Sequence, residues 1–233
     1  MNRRLEFLRD KLIEYLSNES KKNFTVIKEI EEKIYRPISI DEIYVGNRNY
    51  LGPKFLEQYY DTSYIMLLNF NYTNTPQRYM VNHAHVTINY IHGHLNDPKS
   101  VIFGYGDELD KEFPRLKEEY DNECLRHAKS INYLDSDNYR KMLEFIESEP
   151  FQVVIMGHSC GTSDRTLLNT IFEHPNCVSI KPYYYINDKG EDNYQELVQN
   201  IYRNFTDMKL MRDRVVSKKL TEPLTTPKQE NSE

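Results

Sequence analysis

Tryptophan is absent from the 233 residues, and cysteine occurs only three times. Cys124, Cys160 and Cys177 stand at unrelated spacings, which excludes a disulfide framework and points to a reducing compartment. No apolar run is long enough to cross a bilayer, and the opening MNRRLEFLRDKL lacks the layout of a signal peptide. An excess of positive charge is missing as well. A net charge of −6 argues against general nucleic-acid binding. No internal repeat is found. These absences predict a cytoplasmic chain with no membrane partner.

Hydrophobic residues make up 39% and charged residues 28%, the balance of a folded globular protein. The length suits one α/β domain, expected over 1–213. Nineteen tyrosines supply core edges and surface packing, since a tyrosine buries its ring while its hydroxyl stays wet.

The apolar periodicity predicts helices over 2–17 and 26–34, and Pro53 opens a further helical turn over 54–60, giving a helical N-terminal part across 1–60. Strands follow at 64–68, 86–91 and 101–103. A charge-rich helical insertion spans 107–149, with Leu116, Tyr120, Leu125, Met142, Leu143 and Ile146 facing inward. Val153–Met156 is a buried strand leading through a small-residue turn into a helix that Ser163 or Asp164 caps. Val178–Ile186 contains Pro182, which suggests an edge strand or a bend. One long helix is expected over 191–213, and a disordered tail over 214–233. The fold class is α/β: three layers, with a mostly parallel sheet flanked by helices.

Three strands end in small or polar signatures: NFNYTNT at 69–75, IHGH at 91–94 and GHSCG at 157–161. In a doubly wound sheet such strand ends lie together and form a ligand crevice. Gly157-His158-Ser159-Cys160-Gly161 also matches the G-x-S-x-G nucleophile elbow. A serine hydrolase needs an acid and then a histidine downstream, and only His174 is available there. His83-Ala-His85 and His92-Gly-His94 place imidazoles two apart, a weak metal signal that no Cys or Glu completes. No metal is expected. The lysines and arginines of 202–219 read as a solvated helix face, so nucleic acid is not an expected partner.

The pieces Asn69-Phe-Asn-Tyr-Thr-Asn-Thr75, Ile91-His-Gly93, Ile102-Phe-Gly104 and Ile155-Met-Gly-His-Ser-Cys-Gly161 with Asp164, in this order, resemble the phage abortive-infection AbiH family. The resemblance covers roughly 64–205. It departs at the N-terminus, where a glycine-rich G-N-G-F-D turn is usual and only Val45-Gly46-Asn47 echoes it. The family is similar to sirtuin-like, Rossmann-like NAD-binding folds. That likeness implies phage defence in a bacterial cytoplasm, with NAD as substrate or ligand. It implies His92 as base and Asn71 as positioner of water or ribose, both catalytic. It further implies nucleotide contacts from Asn69, Thr73, Gly93, Gly104, Gly157, His158, Ser159, Gly161 and Asp164. If the protein is an enzyme, the expected activity is NAD glycohydrolase-like. A non-catalytic nucleotide-sensing or protein-interaction module is the alternative. A phage-derived trigger or partner protein and a homo-oligomer are both left open.

Overall fold

The computed structural model describes residues 2–22, 24–49, 51, 59–60, 62, 64–80, 85–106, 108, 113–118 and 122–226. In chain order the elements are α1 (Asn2–Glu19), α2 (Lys28–Ile34), β1 (Ile38–Ser39), α3 (Val45–Arg48), β2 (Tyr59–Tyr60), β3 (Ile65–Asn69) and β4 (Val86–Tyr90). They continue as α4 (Phe113–Glu118), α5 (Asn122–Leu125), α6 (Lys129–Asn132), α7 (Asn138–Ser148), β5 (Phe151–Met156), α8 (Arg165–Phe172), β6 (Cys177–Tyr183), α9 (Tyr194–Arg203) and α10 (Met208–Arg214). Among the described residues, the strands form three two-stranded sheets: β1–β2 antiparallel, β3–β4 parallel and β5–β6 parallel. The chain is therefore a mixed helix-and-strand protein with short parallel sheets. None of its helices, among the described residues, is long and apolar enough to cross a membrane.

The chain divides into two compact units. The first comprises Met1–Val26, Ser63–Phe145 and Ser163–Thr166, and the second Ile27–Thr62, Ile146–Thr162 and Leu167–Glu233. In the first, β3 and β4 run in register from Ile65 opposite Val86 to Asn69 opposite Tyr90. Their shared core continues through buried Ile91, Val101, Ile102 and Tyr133. The strand expected at 101–103 does not form. After a 3-10 turn at Pro98–Ser100 the chain is extended, and Ile102 N–H donates to the His92 carbonyl at 2.9 Å without building a ladder. The insertion is helical in short pieces, α4 to α7, with Met142 and Ile146 buried as expected. Tyr120 lies outside the described residues, as does the Pro53 turn except for Tyr59–Tyr60, which pair as strand.

In the second unit β6 is buried along all seven residues. Pro182, expected to mark an edge strand or a bend, sits inside that strand opposite Ile155 of β5. The stretch expected as one helix over 191–213 is two. Asn204 is wholly buried with its amide donating to the carbonyls of Cys160 and Asn200, and Asp207 caps a new helix by accepting from Lys209 and Leu210 N–H. Part of the expected tail is ordered as well. Val215 bridges Ile180, Pro223 bridges Tyr184, and Leu224 N–H donates to the Tyr184 carbonyl at 2.8 Å. Residues 227–233 lie outside the described residues.

Lys181 and Glu42 form a buried pair of opposite charges in this unit. Lys181, in the middle of β6, reaches Glu42 Oε1 at 2.5 Å. Glu42 also accepts from Arg36 at 3.0 Å and from the Gln152 amide at 3.1 Å. The Val45-Gly46-Asn47 echo forms the short helix α3, and the Asn47 amide donates to the Val178 carbonyl at 3.0 Å. That bond ties it to the start of β6.

Candidate functional site

The carboxyl ends of β3 and β4 are where the first unit concentrates its polar groups. Asn69 ends β3 buried, with its Oδ1 accepting from Asn71 N–H at 3.1 Å and its Nδ2 donating to the Thr73 carbonyl at 3.0 Å. Asn69 is thus the residue that ties the turn, an Asx-turn role. Asn71, the expected positioning residue, is exposed at the tip, and Thr73 is half-buried with its hydroxyl 3.1 Å from that of Thr75.

The second loop lies against the first. Leu95 N–H donates to the Tyr72 carbonyl at 3.0 Å, and the Tyr72 hydroxyl donates to the Ile102 carbonyl at 3.0 Å. Gly93 adopts φ +84, and a Cβ there would fall on the Ser100 carbonyl oxygen. A Cβ on Gly104 would likewise meet the His127 carbonyl oxygen. Both glycines serve close backbone approach.

His92, the first residue but one after β4, is only 4% exposed. Its Nδ1 lies 3.2 Å from the Phe70 carbonyl oxygen, and its Nε2 lies 3.0 Å from Asp164 Oδ1 and 3.2 Å from the Tyr133 hydroxyl. Lys129 Nζ donates to the same Asp164 Oδ1 at 2.7 Å, while the Ser163 hydroxyl donates to Oδ2 at 3.2 Å. The carboxylate expected to cap a helix or face a nucleotide is therefore engaged by a lysine and a histidine. Burial pushes the Asp164 carboxyl pKa up, but the His92 contact and the Lys129 ammonium outweigh it and hold it well below the usual carboxylate range. Burial raises the Tyr133 and Tyr72 hydroxyls, so both stay neutral.

A carboxyl held down in the fold stabilises it above its unfolded value and loses that contribution as pH falls. The stability gap between the native chain and Asp164→Asn is accordingly expected to shrink between neutral pH and pH of about 3. Urea unfolding at both pH values measures it. A gap that stays constant would remove the ion-pair account of Asp164.

The Gly157–Gly161 turn belongs to the second unit. His158 Nδ1 accepts from Cys160 N–H at 3.0 Å, so the ring closes the turn. Ser159 is exposed, and its carbonyl accepts from the Asn200 amide at 2.9 Å. Positive φ falls on Gly157 (φ 74) and on Cys160 (φ 53), whereas an elbow nucleophile carries the strain itself. His174, which the hydrolase reading requires, has Nδ1 accepting from Asn176 N–H at 3.2 Å and its ring packed near Phe151. It serves a turn. In the His92/His94 pair, His92 is engaged with Asp164, while His94 Nδ1 accepts from Asn96 N–H at 3.0 Å and its ring meets Tyr90 edge-on. No three His, Cys, Asp or Glu side chains converge at metal-ligand distance among the described residues.

The structure thus brings Asn69, Asn71, Thr73, His92, Gly93, Gly104 and Asp164 into one unit, and hydrogen bonds and the His92–Asp164 pair link their loops. Lys129 and Tyr133 escaped the sequence reading. They sit in a charge-rich stretch with no motif, where a buried lysine looks like any solvated one.

A mixed helix-and-strand chain with a buried histidine–carboxylate–lysine cluster at the carboxyl end of a parallel strand pair is the class that this geometry defines. Residues 4–186 match the family model described as bacteriophage abortive infection AbiH, and the chain belongs to that family. The match takes in α1, well before the 64–205 stretch that carries the motifs. Comparisons with curated proteins and with solved structures gave no match.

Proposed function

We propose that this abortive-infection protein binds NAD or a related dinucleotide and cleaves its nicotinamide N-glycosidic bond. The observation that carries the reading is the His92–Asp164 pair, held 3.0 Å apart beside the exposed Asn71 tip at the carboxyl end of β3 and β4. Ligands of doubly wound, sirtuin-like folds bind at that end of the strands. In the proposed step the C1′–N bond breaks, and its electron pair neutralises the pyridinium as nicotinamide leaves. Water forms the new C1′–O bond and gives a proton to His92, which later releases it to solvent. Asp164 orients the ring and stabilises the imidazolium, as a carboxylate does for a catalytic histidine elsewhere. Asn71 holds the water or ribose, and Thr73 lies beside it.

Burial of His92, with both ring nitrogens facing oxygen atoms, favours one second reading: a nucleotide-sensing or interaction module without turnover. One set of assays separates the two. NAD consumption by the purified chain, with and without phage lysate, is expected to fall about 100-fold in His92→Ala, the low end of a general base's contribution. A thermal shift with NAD or ADP-ribose but no consumption supports the module. Consumption lost in Ser159→Ala but kept in His92→Ala overturns the glycohydrolase in favour of the hydrolase elbow.

A further inference from the structure

We propose that Lys129 is a positioning residue of this site: it shares the Asp164 oxygen with His92 and so draws part of that carboxylate's field away from the histidine. The consequence for turnover rests on the reading above, whereas the assignment itself rests on geometry. Lys129 opens α6 as a buried residue, and its ammonium is 2.7 Å from Asp164 Oδ1, closer than His92 Nε2 at 3.0 Å. Its place is built by the backbone. Lys129 N–H donates to the Tyr105 carbonyl at 3.0 Å, and the stem packs where a side chain on Gly106 would stand.

Among the described residues, the titratable groups facing His92 are Asp164 from the turn before α8, Lys129 through that carboxylate, Tyr133 after α6 and Tyr72 after β3. The two tyrosines are neutral, so the charge balance lies with Asp164 and Lys129. With both present the pair is already neutral before His92 is counted. Remove the ammonium and more of the carboxylate's field falls on the imidazole, which favours its protonated form. A histidine that keeps its proton is a poor base. Lysine, unlike Tyr133, supplies this without taking part in proton transfer.

The test uses the full chain labelled at histidine with ¹³C and ¹⁵N. Lys129→Gln removes the charge and leaves a shorter, neutral donor; Lys129→Arg restores the charge. At matched pH the His92 ring signals of Lys129→Gln should report more imidazolium than the native chain, with the titration displaced upward by about one pH unit. Lys129→Arg should return it to the native curve. The acid limb of the NAD-consumption profile should move the same way, in kcat rather than KM. Superimposable His92 titrations in folded native and Lys129→Gln chains would overturn the assignment. A displaced titration in a chain that consumes no nucleotide upholds the assignment of Lys129 and removes the glycohydrolase.

Discussion

Glu42→Ala is expected to cost about 3–5 kcal/mol of unfolding free energy, because it strands a charge inside the second unit. Lys181 lies wholly buried in β6, and among the described residues its ammonium pairs with Glu42 at 2.5 Å. Rings help little: the Tyr183 ring centroid is 5.3 Å from Nζ. Truncating the acid also removes the acceptor used by Arg36 and Gln152. Burial lowers the Lys181 pKa even with Glu42 beside it. The folded state therefore holds this proton less tightly than the unfolded chain, and stability from this group rises as pH climbs toward the ordinary lysine range. In Glu42→Ala that rise begins at lower pH and is larger. Denaturant unfolding at pH 7 and pH 9.5 reads both effects. Adding Lys181→Met to the variant should recover about 2 kcal/mol or more, since a buried pair replaced by apolar groups is often neutral. A double variant as unstable as Glu42→Ala alone would contradict the stranded-charge account.

Gly93→Ala is expected to be nearly as severe. Two costs combine: φ +84 disfavours any L side chain by about 1–2 kcal/mol, and the new Cβ meets the backbone carbonyl of Ser100, which no side-chain rotation relieves. About 3–5 kcal/mol in all follows. Gly157→Ala is the comparison, having φ 74 but, among the described residues beyond its chain neighbours, no atom within 4 Å of the added Cβ. That change should cost only about 1–2 kcal/mol. Equal losses at the two positions, read from thermal melts, would show that conformation and not crowding governs Gly93.

Strand ends were legible in the sequence because apolar runs stop abruptly at Asn69 and His92. Periodicity likewise marked α1, α7 and the start of α9. The 191–213 stretch read as one helix because Leu197, Ile201 and Phe205 keep the helical spacing through a break that depends on tertiary contacts of Asn204. Val101–Phe103 looked like a strand since its three residues are apolar, yet apolarity there only fills the core beside His92. Asp164 was visible as a residue but not in its pairing, because Lys129 lies 35 positions away in a segment crowded with charge. Lys181 left one trace: a lone cation between Ile180 and Pro182 in an otherwise apolar run.

The closing segment along β6 has a consequence for how the chain can be shortened. Val215 and Pro223 occupy bridging positions beside Ile180 and Tyr184, so the flank of β6 away from β5 is occupied by the protein's own later residues. A chain ending before residue 215 would carry that flank bare, with apolar side chains and free carbonyls aligned as a template. Such a template recruits whatever extended peptide is at hand, and in a concentrated solution that is another copy of itself.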